Sequence, residues 1–141
     1  MELPLSLIEE TVNETELYFF TKETEKGVPG HIHVCVRKGE KIILFTACTS
    51  QTDTIFKFVT RTNADPNTFP CFAPDDVNGF KQLTYINCNN IIVFGKTEFL
   101  NQIKDNKIYK LQGIITDDAM QQIIRGIKLS KTVPENIKKL F

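Results

Sequence analysis

The sequence predicts an α+β fold, a small β-barrel followed by C-terminal helices. Three observations lead there. Short apolar runs with strand character alternate with turn signals over residues 15–94. The best helical pattern, "TDDAMQQIIRGIKLS", lies near the end of the chain. Strands come first and helices last, which is the α+β order rather than the alternating α/β one. With 141 residues, the chain fits a single domain, 1–141, with a β-barrel core over about 15–95 and a helical part over about 96–141.

The elements follow in order. "LPLSLIEETV" reads as a short helix or an irregular arm. "TELYFFTK" is aromatic-rich and reads as a strand. "ETEKGVPG" is a charged loop closed by Gly27, Pro29 and Gly30. "HIHVCVRK" alternates, with Ile32, Val34 and Val36 on one face and His31, His33 and Cys35 on the other. "RKGE" turns the chain and "KIILFTACTS" returns it, so the two runs form a hairpin. A two-residue Lys38-Gly39 loop would set Arg37 opposite Glu40, Val34 opposite Ile43 and Ile32 opposite Phe45. "TIFKFVT" (54–60) reads as a further strand. "RTNADPNTFPCFAPDDVNGF" holds three of the six prolines and reads as a long irregular loop. "QLTYINCNNIIVF" returns to β. Thr97 is a cap for a helix "EFLNQIKDN", and "YKLQGII" is a connector or short strand. In the late helix, Thr116 is the N-cap and Asp117 and Asp118 suit the positive end of the macrodipole. Met120, Ile123, Ile124 and Ile127 form its apolar stripe. Pro134 starts one more helical turn in "VPENIKKLF".

Composition narrows the function classes. Seventeen basic and seventeen acidic side chains cancel, which is not the footprint of a general nucleic-acid binder but leaves room for a local basic groove. Cys35, Cys48, Cys71 and Cys88 form no C-x-x-C pair, so reduced, mostly buried thiols are expected. The N-terminus lacks the basic stretch of a secretory signal. No window approaches the roughly 18 apolar residues of a membrane span. A cytoplasmic protein with no membrane contact is expected.

Both histidines lie in "GHIHVCVRKGEKIILFTACTSQ" (30–51). His31, His33 and Cys35 share a strand face, with Cys48, Cys71 or Cys88 as a possible fourth zinc ligand. Same-face neighbours sit roughly 6.6 Å apart, so consecutive triples seldom converge on one ion. No metal and no cofactor is expected; one histidine should be half-exposed and the other packed. "CTSQ" places Thr49 and Ser50 where strand pairing stops. Such hydroxyls hold a phosphate or donate to an oxyanion, or they cap the following turn. No G-x-S-x-G, Walker-type, H-E-x-x-H or dinucleotide motif accompanies them. Cations at Lys22, Lys26, Arg37, Lys38, Lys41, Lys57 and Arg61 are interleaved with aromatics such as Phe20 and Phe58. A single-stranded RNA groove combines these types, as does an ordinary solvated surface.

The order of these segments resembles the MazF/PemK-like toxin family. "YFFTKETEKGVPGHIHVCV" is similar to that family's aromatic strand, charged loop and second strand. "IILFTACTSQ" resembles the strand that ends in its hydroxyl pair. "LTYINCNNIIVFGKTEFL" and "LQGIITDDAMQQIIRGIKLS" resemble its later strand and closing helix. The resemblance covers about residues 17–130. It implies an SH3-like barrel and a homodimeric, metal-independent endoribonuclease that cleaves single-stranded RNA and is neutralised by a cognate antitoxin. It implies that Thr49, with Ser50, lies near the scissile phosphate. The family's arginine before the second strand is replaced here by "VPGHIHV", where His31 is the nearest competent substitute and His33 the next. Imidazole can act as acid or base near neutrality. Lys26 or Arg37 would supply charge and Gln51 would contact substrate. The alternative is a non-catalytic protein-interaction module on the same barrel, such as a phage or plasmid accessory protein.

Overall fold

The computed structural model describes residues 3–21 and 30–141. It is a mixed α+β fold built on one six-stranded antiparallel sheet, curled into a half-barrel. The strands are β1 (Glu16–Phe20), β2 (His31–Lys38), β3 (Ile42–Thr49), β4 (Cys71–Phe72), β5 (Thr84–Gly95) and β6 (Tyr109–Ile114), in the spatial order β4-β5-β3-β2-β1-β6. β6 is the short strand read in "YKLQGII", inside the otherwise helical C-terminal part, and it pairs with β1.

Helices cover both faces of the sheet. On one, α1 (Leu5–Glu10) and α3 (Lys96–Lys104) close over Tyr18, Phe20, Cys35, Phe45 and Phe94. Rings do most of this packing: Phe45 lies 4.9 Å from Phe99, and Phe20 meets Phe45 and Phe94 edge-on at 5.3 and 5.4 Å respectively. On the concave face, α4 (Asp117–Leu129) lays Met120, Ile123 and Ile127 over Val34, Val36, Leu44 and Cys88. Its start is as the sequence predicts, with Thr116 Oγ1 accepting from the Ala119 N–H at 3.2 Å. Its end is tied down by a buried network: Ser130 donates to Asn89, and the Asn89 amide donates to Thr68. Gly126 is needed on its inner face, because a Cβ there would lie 2.8 Å from Cys88 Sγ. The chain ends in α5 (Glu135–Lys138), for which Pro134 is the N-cap.

Three local expectations are corrected. The hairpin register is different: Val34 faces Thr46, Cys35 faces Phe45, and Arg37 faces Leu44 across a bulge at Val36. Both faces of β2 are buried, so apolar alternation carries no register information. "TIFKFVT" lies in a helix, α2 (Thr52–Thr62). Its apolar residues fit two periods, Phe56 and Phe58 as a strand but Ile55, Phe58 and Val59 as a helix face. Asp53 in the first turn and left-handed Asn63 after the last complete the helix. Finally, Gly95 rather than Thr97 is the N-cap of α3. The long proline-rich stretch is mostly irregular, containing a 3-10 turn (Pro66–Thr68) and the two residues of β4.

β5 reaches both cores because it is bulged. One step on β3, from Thr46 to Ala47, spans Ile91 to Asn87 on β5. Ile86 and Cys88 therefore face α4, whereas Ile92 and Phe94 face α1 and α3.

Candidate functional site

α4 covers only part of the concave face. The remainder is a cleft of about 700 Å³, floored by Leu17, Phe19, Ile32, Cys48 and Leu111. Apolar floors of this size with a few polar groups at the edge are usual for ligand sites. One side is a strap between β4 and β5, residues 73–83, which crosses from one outer strand of the sheet to the other. Its Val77 carbonyl accepts from the Ile114 N–H of β6 at 2.9 Å.

The strap is held by its own side chains. Asp75 Oδ1 accepts from the N–H groups of Val77 and Asn78. Asn78 Oδ1 accepts from the N–H groups of Asp75 and Phe80, and its Nδ2 donates to Ala73. Gly79 takes a φ of +68°. At the β6 contact, a Cβ on Gly113 would sit 1.9 Å from the Asn78 carbonyl oxygen, so only glycine fits. Beyond this knot Phe80 is buried, and Lys81 and Gln82 are exposed along the cleft.

His31, Thr49, Ser50 and Gln51 all line the cleft. The antiparallel pairing explains why. Continuing the His33–Ala47 register by two residues sets the start of β2 against the end of β3, His31 opposite Thr49. Both residues line the cleft. The His31 ring stands perpendicular to that of His33 at 6.5 Å, and His33 is stacked on Phe20 at 3.8 Å on the aromatic face. Thr49 follows Cys48, which faces the concave core, and by alternation it turns the other way. Ser50, past the strand end, is exposed.

The hydroxyls also make local bonds. Thr49 Oγ1 accepts from the Gln51 N–H at 3.1 Å, the turn-capping role open to it from sequence. Ser50 Oγ accepts from Gln82 Nε2 at 2.9 Å, and Gln51 Oε1 accepts from Thr54 of α2. Both hydroxyls act as acceptors here, so each keeps its proton to donate.

The expected cations do not join them. Arg37 is exposed at the far end of β2, six residues from His31, or roughly 20 Å along an extended strand. Lys26 lies outside the described residues, as does Lys22. Phe20, weighed as a base-stacking ring, is buried in the core. His31 is half-buried and His33 fully buried, and Cys35 lies in the aromatic cluster. Among the described residues no three His, Cys, Asp or Glu side chains are grouped as a metal site requires. Burial pushes the Cys35 and Cys88 thiols up to about 12, with Glu14 and Glu16 adding to the shift at Cys35, and raises Cys48 as well. These three are buried, free thiols; Cys71 is free and exposed.

Sequence reasoning missed the strap. Asn78 and Gly79 lie in the stretch read as an irregular loop, although "DDVNG" carries the signal of a side-chain-knotted turn, Lys81 lies between the segments read from sequence, and Gln82 opens the run read as β. Gly113 has no signal of its own, because its requirement comes from a backbone 35 residues earlier in the chain (113 against 78). Among the described residues, no helix is long and apolar enough to cross a membrane. No model of a known protein family matches the chain, and no curated protein matches it.

Proposed function

We propose that this chain is a diverged MazF/PemK-like ribonuclease, a metal-independent endoribonuclease acting on single-stranded RNA in the concave cleft. The observation that supports this reading best is the convergence of His31, Thr49, Ser50 and Gln51, chosen from sequence, on one cleft. RNA cleavage without metal needs a base for the 2′-hydroxyl proton, charge to stabilise the phosphorane and an acid for the leaving oxygen. His31 would exchange the proton and Thr49 would donate to a phosphate oxygen from the rim, Ser50 would donate to another phosphate oxygen, and Gln51 would contact the substrate. The reading carries with it an SH3-like barrel, a homodimer, a cytoplasmic setting and neutralisation by a cognate antitoxin.

Incubating purified protein with several unrelated single-stranded RNAs in EDTA tests it. Cleavage by the wild type, reduced at least about tenfold in His31→Ala and Thr49→Ala, is the expected result. Absence of cleavage in every preparation rejects it.

A second reading is favoured by a separate observation. α2 has no buried residue, and Phe56 on it is 70% exposed. A non-catalytic interaction module would present such a helix to a protein partner. Harmless overexpression in a bacterial host, with a partner recovered by wild type but not by Phe56→Ser, would select it over the nuclease.

A further inference from the structure

The proposed chemistry needs a cation, and the cations named from sequence do not supply one in the described cleft. The strap does. Lys81 lines the cleft, and it has no ion-pair partner among the described residues. No carboxylate lines that cleft among the described residues, so nothing there competes for the ammonium group. The next residue, Gln82, donates to Ser50 Oγ. That bond occupies one lone pair of the hydroxyl and leaves its proton to donate elsewhere. Lys81 and the Ser50 hydroxyl thus line the same cleft, linked through Gln82, which follows Lys81 in the chain and donates to Ser50. Both are set by the same support, the Asn78 knot docked on Gly113.

The geometry points to a phosphoryl-oxygen subsite made by Lys81 and Ser50, with Gln82 as the positioning residue for the Ser50 hydroxyl. Ammonium and hydroxyl donors complement phosphate oxygens through charge-assisted hydrogen bonds. The inference rests on reading the cleft as the site of an anionic substrate, and it gives the strap a binding role. The apolar floor beside the subsite would take the uncharged part of the same ligand.

Inorganic phosphate is the probe. Titrated into isotope-labelled protein at constant ionic strength, it should shift the amide resonances of Ser50, Lys81 and Gln82 saturably. Acetate at matched ionic strength should bind several-fold more weakly. Lys81→Gln should raise the phosphate Kd at least about fivefold and Gln82→Ala about threefold. Lys107→Gln, a charge removed from the exposed connection before β6, should leave it unchanged. All three positions are exposed, and an unchanged spectrum elsewhere confirms the fold. No saturable shift, equal binding by both cleft variants, or acetate matching phosphate overturns the assignment. Phosphate binding without RNA cleavage rejects the nuclease and keeps the subsite. RNA cleavage undiminished in Lys81→Gln rejects the subsite and keeps the nuclease.

Discussion

The two faces of the sheet are built from the same six strands and end differently. Under α1 and α3, rings from β1, β3, β5 and α3 interlock, and Tyr18, Phe20, Phe45 and Phe99 are at most 2% exposed. Under α4, aliphatic side chains fill part of the concavity and the rest stays open as the cleft. Large rings seal a face because each covers much area and locks its neighbours. The concave face is only partly covered by its one helix. Its open part is bridged by a strap that depends on a side-chain knot and a single glycine. Stability is concentrated on one face and binding opportunity on the other.

The contrast can be broken most severely from the sealed side. Phe45→Ala should cost about 3–5 kcal/mol, since it removes a fully buried ring that touches four others. Urea denaturation measures this, and a loss under 1 kcal/mol would show that the aromatic face is not the main core. Gly113→Ala should cost less, about 1–3 kcal/mol, because the strap must move away from β6. Its signature is local: faster amide exchange at Ile114, whose N–H bonds to Val77, with little change around Phe45.

Alkaline pH should weaken both faces together. Cys35 sits in the aromatic core and Cys88 in the concave one, and burial raises each thiol from 9.0 to about 12. Raised thiol values favour the neutral folded form. Their stability contribution is complete below about pH 9 and is lost as pH rises towards 12. Between pH 8 and 10.5 these two thiols should lower the unfolding free energy by about 4 kcal/mol, roughly 2 each, and Cys35→Ala with Cys88→Ala should remove that part of the fall. The smallest effects belong to the cleft rim. His31→Ala and Thr49→Ala should each change stability by under about 1 kcal/mol, because both side chains are only partly buried. A large loss in either would turn a candidate site residue into a structural one.

Much of the strand framework was legible in the sequence. β1, β2, β3 and β5 carry β-branched and aromatic runs, and α4 carries a cap, a macrodipole match and an i, i+3, i+4, i+7 stripe. The placement of the candidate residues was legible in part, since His31, Thr49, Ser50 and Gln51 line one cleft. His31 and Thr49-Ser50 come from the family resemblance, and they also stand at the open ends of one hairpin, which antiparallel pairing brings to the same side of the sheet in a family of registers. Arg37 was also chosen from that hairpin, but an extended strand carries it away from the other end. α2 was misread because four apolar residues in five fit either period.

The sequence alone therefore determined where β1, β2, β3, β5 and the last helix form, since propensity, periodicity and capping act within a few residues. Tertiary structure alone decided three things: the β2–β3 register, the bulge that swings β5 from one core to the other, and the strap that brings Lys81 and Gln82 to Ser50. Each depends on contacts between residues far apart in the chain. Those contacts are chosen by the packing of two covered faces at once, and no local pattern records that choice.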